Sequence, residues 1–288
     1  MGSTQDRRTV RLPLFCHTAL AGRIERAEAQ LMADVSEAAH RRGARPAGFV
    51  LPIAGGVATF AEADSPYNKV AGLGFGGMPE PAALDEIERA FAARGASAQV
   101  ELAHLADPAI GALLTGRGYR LVSFENVLGR ALDDAPEAVS PPGIAVRPSG
   151  DDELERWIEI QVEAVAHPDR QGLPWHEEFP REAVAQAERD FAAAGGMRYI
   201  ALRDGVMAGG ASMRLVQGVA QLTGAGTAPA HRRRGIQTAL LSARLADAAE
   251  AGCDVAVITT QPGSTSQENA QRRGFDLLYT RAVLVKQP

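Results

Sequence analysis

Cysteine is nearly absent: Cys16 and Cys253 are the only two in 288 residues. Two isolated thiols cannot build a disulfide framework or a cysteine metal site, so both are expected as small buried side chains and no metal is expected. Long apolar runs are missing too. Nothing approaches the roughly 20 residues of a membrane span, and the N-terminus lacks the apolar core of a signal peptide. Charge of one sign is scarce as well, since a net charge of −5 offers no field that would draw nucleic acid or an anionic membrane. No Gly-Lys-Ser/Thr triplet occurs, which excludes a Walker loop, and no three-glycine dinucleotide fingerprint follows a strand pattern. These absences lead to the expectation of a cytoplasmic protein whose partners are neither nucleic acid nor membrane. An apolar fraction of 45% is ordinary, and the length suits one or two domains with substantial cores.

What is present is a repeat. Arg117-Gly118-Tyr119-Arg120-Leu121 matches Arg273-Gly274-Phe275-Asp276-Leu277, and Val127-Leu128 matches Val283-Leu284, both at a separation of 156 residues. Upstream of each match lie a helical pattern ending in glycine (84–95 and 240–252) and a short β-rich run (98–102 and 254–258). Two copies of one α/β fold follow. The polar, proline-rich segment 133–143 separates them, giving domains at 1–134 and 141–288. In the second copy, the pattern predicts a strand at 144–148 and a helix at 151–166 capped by Asp151 or Asp152. A helix at 180–194 and strands at 197–202 and 207–216, turning at Asp204-Gly205, come next. A strand at 219–227, a helix at 235–251, a strand at 254–260, a helix at 266–275 and a final strand pair complete it. Helix 235–251 is expected to turn Ile236, Leu240, Leu241 and Leu245 to the sheet and Gln237, Arg244 and Asp247 to water.

The chemistry concentrates in Thr227-Ala228-Pro229-Ala230-His231-Arg232-Arg233-Arg234-Gly235. A strand ends there, three arginines follow, and a helix begins. A helix start carries partnerless N–H groups and about half a positive charge, so three cations beside it ask for an anion. A pyrophosphate is the expected guest, held by Arg232, Arg233, Arg234, Gly235 and the first-turn residues Ile236, Gln237 and Thr238. The first copy has Gly74-Phe75-Gly76-Gly77-Met78-Pro79-Glu80 in the equivalent place, with no basic residue. That copy is expected to have lost the anion site and to serve packing or substrate shaping. Gly224-Ala225-Gly226, near the end of the preceding strand, marks a bulge or a close backbone approach.

Arg232-x-x-Gly235-x-Gln237, preceded by Pro229 and followed by a strand, a helix and Gly274-Phe275, resembles the acyl-CoA-binding motif of the GNAT superfamily of N-acyltransferases. Gln237 departs from the small residue usual at the motif's end. The resemblance covers residue 144 to the C-terminus. It implies two GNAT-like domains, each a twisted, mostly antiparallel mixed sheet flanked by helices, with the first domain degenerate. It also implies transfer of an acetyl group from acetyl-CoA to a primary amine of a small molecule, with CoA as released cosubstrate. The pantetheine arm would lie along Ala225, Gly226 and Thr227, whose backbone N–H groups are candidates to steady the carbonyl oxygen.

Many members of that family carry a tyrosine acid four residues before the Gly-Phe glycine, where Ala270 stands here. Ser264, Ser266 and Asn269 are the substitute donors for the leaving sulfur, with helix capping the competing role for the serines. The strand at 219–227 offers no carboxylate base, its polar members being Gln221 and Thr223. Base candidates therefore fall on Glu163, His167, His176, Glu177 and Glu178, beside Trp175, with a water relay equally compatible. The alternatives are a catalytically silent CoA-binding or sensor protein, and a scaffold of paired domains. A fused pair can imitate a dimer, which leaves monomer and homodimer both open.

Overall fold

The computed structural model describes residues 12–132, 139–168 and 177–288. The first half begins with the 25-residue helix α1, Thr18–Arg42, whose start is capped by the His17 ring accepting from Leu20 N–H. Then come β1 (Phe49–Ile53), β2 (Gly56–Phe60), β3 (Lys69–Ala71), α2 (Pro81–Ala92), β4 (Ala98–Ala103), α3 (Pro108–Gly116) and the long β5 (Arg120–Ala131). The second half runs β6 (Ile144–Pro148), α4 (Leu154–Ala166), α5 (Arg181–Ala193), β7 (Met197–Arg203), β8 (Val206–Val216), β9 (Val219–Thr227), α6 (Ile236–Glu250), β10 (Val255–Thr260), α7 (Thr265–Arg272) and β11 (Asp276–Lys286). None of the described helices is long and apolar enough to cross a membrane.

All the described strands join one mixed sheet of eleven, in the order β1-β2-β3-β4-β11-β5-β10-β9-β8-β7-β6. The expected final strand pair is a single long strand instead. β11 leaves its own half and lies between β4 and β5 of the first, while β5 lies between β11 and β10 of the second. Each half thus lends its last strand to the other. The β11–β5 ladder pairs Arg281 with Glu125, Thr280 with Asn126 and Ala282 with Phe124. Since Glu125 and Arg281 are the same position in the two repeats, the pseudo-twofold axis passes between them.

Alternation along the strands sorts side chains onto two faces. One face carries Val127, Val219, Val255, Val257 and Tyr279, covered by α1 through Leu20, Ile24 and Ala27. α4 and α5 extend this layer, with Trp157, Val184 and Ile200 forming a further cluster. The opposite face packs Ala220, Leu222 and Ala256 against Leu240 and Leu245 of α6 and Ala270 of α7. Each such leucine contributes roughly 1.5–3 kcal/mol by burial.

Two details of the second half differ from expectation. Neither Asp151 nor Asp152 caps the first helix: a 3-10 turn, Asp151–Glu153, precedes α4, and the Glu153 carboxylate accepts from Gly150 N–H at 3.1 Å. Asp151 instead pairs with Arg198 at 2.7 Å. Arg244 does not face water either; it is 1% exposed and donates to the carbonyls of Ser212 (2.8 Å) and Thr223 (3.1 Å). Asp247 accepts from the Tyr199 hydroxyl at 2.8 Å. A long cationic side chain can follow the apolar stripe inward when unpaired carbonyls wait for it.

Candidate active site

β9 and β10 run parallel and pair at Val219–Val255, Ala220–Ala256 and Gln221–Val257. There the ladder stops, although β9 continues to Thr227 and β10 to Thr260. Beyond Gln221 the strands part and leave a gap bordered by Thr223, Gly224 and Ala225 on one side and Ile258 and Thr259 on the other. The cause lies in β9. Its register against β8 jumps between Ser212–Thr223 and Ala211–Ala225, so Gly224 is an extra, bulged residue. Gly224 has φ +26°, a value that favours glycine. The carbonyls beside the bulge are the ones that Arg244 satisfies. Burial lowers the Arg244 pKa to about 10, which leaves it a cation at neutral pH.

On the α6 side of the sheet lies the basic turn. Gly235 takes φ +85° as the residue before α6, no side chain caps the helix, and no acidic residue occurs in its first turn. The N–H groups of Ile236, Gln237 and Thr238 are therefore uncapped donors at the positive end of a 15-residue helix. Arg233 (φ +59°) and Arg234 are exposed, and Arg232 donates to the carbonyl of His167 at 2.5 Å. A Cβ on Gly235 would stand 3.0 Å from Pro141 Cγ, so the glycine clears the segment before β6 as well as the turn. Gln237, the departure from the family pattern, donates to the Thr227 hydroxyl at 2.9 Å and ties α6 to the end of β9.

On the opposite face stands a residue that the sequence reading missed. Glu188 of α5 reaches the bulge: its Oε1 lies 3.3 Å from the place a Cβ on Gly224 would occupy. Burial pushes its carboxyl up to about 7. The bases expected from the sequence are placed less well. Glu163 is bonded to Arg181 at 2.5 Å, which holds its pKa down, and also lies 3.2 Å from the exposed His167 ring. Glu177 is partly buried near Gln99 of β4, at 3.5 Å, and Glu178 is exposed. Trp175 and His176 lie outside the described residues. On α7, Ser264 is the cap, accepting from Gln267 N–H at 3.2 Å; Ser266 is exposed and Asn269 partly so. Ala270 is 1% exposed and packed in the core, so its position presents no group to the gap.

Residues 159–275, from α4 to the Gly-Phe pair, match the model of the acetyltransferase (GNAT) family. The chain carries a GNAT acetyltransferase domain. The matched span holds the basic turn, the bulged strand and the diverging strand together. Among solved structures, a GCN5-related N-acetyltransferase from Kribbella flavida is 24% identical over 93% of this chain and 96% of its own, with a TM-score of 0.65. A tandem GNAT protein from the clavulanic acid biosynthesis pathway is 15% identical over 88% of this chain and 87% of its own, with a TM-score of 0.58. A GCN5-related N-acetyltransferase from Sphaerobacter thermophilus is 22% identical over 71% and 64%, with a TM-score of 0.50. These likenesses establish the fold, and the first two span both halves of the chain. Comparison with curated proteins gave no match.

Proposed function

We propose that the second half binds acetyl-CoA and that a primary amine of a small molecule attacks its thioester through the β9–β10 gap. The pyrophosphate rests on Arg232, Arg233, Arg234 and Gly235 and on the N–H groups of Ile236, Gln237 and Thr238. The pantetheine arm follows Ala225, Gly226 and Thr227, which lie past Gln221, where the β9–β10 pairing among the described residues ends. The observation that carries this reading is the opening of the gap at a bulge, with the cationic turn on one face and Glu188 on the other.

Acetyl-CoA supplies the acyl group: the amine nitrogen bonds to the carbonyl carbon, the carbon–sulfur bond breaks, and CoA departs. An alkyl ammonium has a pKa of about 10.4, so a base must take its proton. Glu188 is that base, poised by burial near neutrality. Asn269 and Ser266, on the same helix as the position of the missing tyrosine, donate hydrogen bonds to the leaving thiolate, which takes its proton from solvent, and Glu163 and His167 stand at the rim. The protein is read as cytoplasmic, acting as a monomer or homodimer.

The test is thiol release from acetyl-CoA across a panel of primary amines, comparing wild type with Glu188→Gln. Turnover that falls at least about a hundredfold in kcat, with little change in CoA affinity, is expected for loss of a general base. The core position of Ala270 favours a second reading, a CoA sensor without catalysis. Tight CoA binding with no thiol release from any amine would support it.

A further inference from the structure

On the α1 face, beside the gap, lies a buried cluster built from both halves. Arg281 sits 2.8 Å from Glu25, 3.5 Å from Glu101, 3.8 Å from Glu125 and 3.9 Å from Glu28. Lys69 adds an ion pair to Glu101 at 2.5 Å. Glu25 is well served, since it accepts from Arg281 and from the Tyr279 hydroxyl at 2.6 Å. Two cations therefore face four carboxylates in a dry environment, with Glu188 a fifth carboxylate across the bulge. Excess buried charge of one sign is costly unless a proton or a counter-charge joins it.

A second observation shows where a donor is missing. Gln221, the last paired residue of β9 before the gap, is 3% exposed and donates through Nε2 to Glu28 at 3.0 Å. Its buried Oε1 has no hydrogen-bond partner among the described residues. An acceptor oxygen and an under-compensated carboxylate side by side ask for a group that donates several hydrogen bonds and carries positive charge. An ammonium fits; among the described residues no cluster is placed to hold a metal ion.

We infer that the acceptor carries a second ammonium, seated on Glu28 and Gln221 with Glu101 and Glu125 of the first half behind them. This rests on the acetyl-transfer reading of the same gap. Three strand residues separate Gly224, beside the base, from Gln221, or about 10 Å. The acceptor class is therefore a diamine or longer polyamine whose charged groups stand about that far apart. The first half, without a cationic turn of its own, supplies the recognition of this charge.

The experiment measures thiol release with linear α,ω-diamines of graded length and with the monoamines of matching chain length. A diamine whose nitrogens are about 10 Å apart should exceed its monoamine about tenfold in kcat/KM, the effect of one charge-assisted contact. In Glu28→Gln and separately in Gln221→Leu, that ratio should collapse toward one through a higher KM for the diamine. Cooperative thermal melts of both variants check that the fold is intact. Monoamines turned over as well as diamines by the wild type would overturn the inference while the acetyl-transfer reading stands. A ratio that persists in both variants would overturn it as well. Thiol release from no amine at all would overturn both.

Discussion

Glu125 and Arg281 face each other across the β5–β11 ladder, Nη1 3.8 Å from Oε2, at equivalent positions of the two repeats. Equivalent positions of the repeat meet there, and opposite charges occupy the two places. Burial pushes the Glu125 carboxyl up to about 7, with Glu101 beside it adding to the rise and Lys69 and Arg281 opposing it. A carboxyl whose folded pKa lies above its unfolded value contributes stability at low pH that is lost as pH rises through the folded pKa. Thermal melts should therefore show the wild type weakening between about pH 5 and 8 relative to Glu125→Gln. Arg281→Met should be the severe change, costing about 3–5 kcal/mol and more at pH 8 than at pH 5, because four carboxylates lose their common partner. A melting temperature unchanged in Arg281→Met would show that the cluster does not hold the halves together.

Arg244 should matter to the gap rather than to solubility. Arg244→Met keeps the stem but strips two carbonyls of their donor, an effect of about 2–4 kcal/mol by chemical denaturation. Loss of the bulge should lower acetyl-CoA affinity along with stability. A variant that melts like the wild type would mean that water replaces the guanidinium.

Much of this architecture could be read from residue patterns, and the reasons it failed elsewhere are specific. The basic turn, the strand at 219–227 and the helix that follows it were legible because arginine, glycine and periodicity all act locally. The repeat was legible because Arg-Gly-aromatic recurs at fixed spacing. The exchange of β5 and β11 was not, since a long strand reads the same whichever neighbours it finds. α1 went unread as well, yet it carries its own signal: Glu25 and Glu28 interrupt the apolar stripe of Ile24, Leu31, Met32 and Val35. Glu188 does the same between Val184 and Phe191 on α5. An acidic residue inside a buried stripe either finds a partner or holds a raised pKa, and both outcomes mark sites. Arg244 misled for the same reason in reverse, because its length lets the charge reach carbonyls that the pattern does not reveal.

The activity of the wild type should rise through about pH 7 as Glu188 loses its proton, since a general base works only when ionised. Steady-state kinetics with a slowly reacting amine should show this limb in kcat/KM. Glu188→Gln should abolish the limb along with most of kcat. A variant retaining both the rate and the pH limb would assign the base to another group.

The arginines of the turn can be tested by calorimetry. Arg232→Ala combined with Arg234→Ala should weaken acetyl-CoA binding by at least about tenfold, or 1.4 kcal/mol. Higher ionic strength should erode wild-type affinity more than that of the variant. Equal affinities would leave the turn decorative.

Soaking crystals with CoA addresses the central proposal most directly. The diphosphate should appear against Gly235 and the first turn of α6, with the pantetheine arm between β9 and β10 and its sulfur near Gly224. Coenzyme held by the first half near Gly76 and Gly77, or a β9–β10 gap that stays closed to it, would contradict the account.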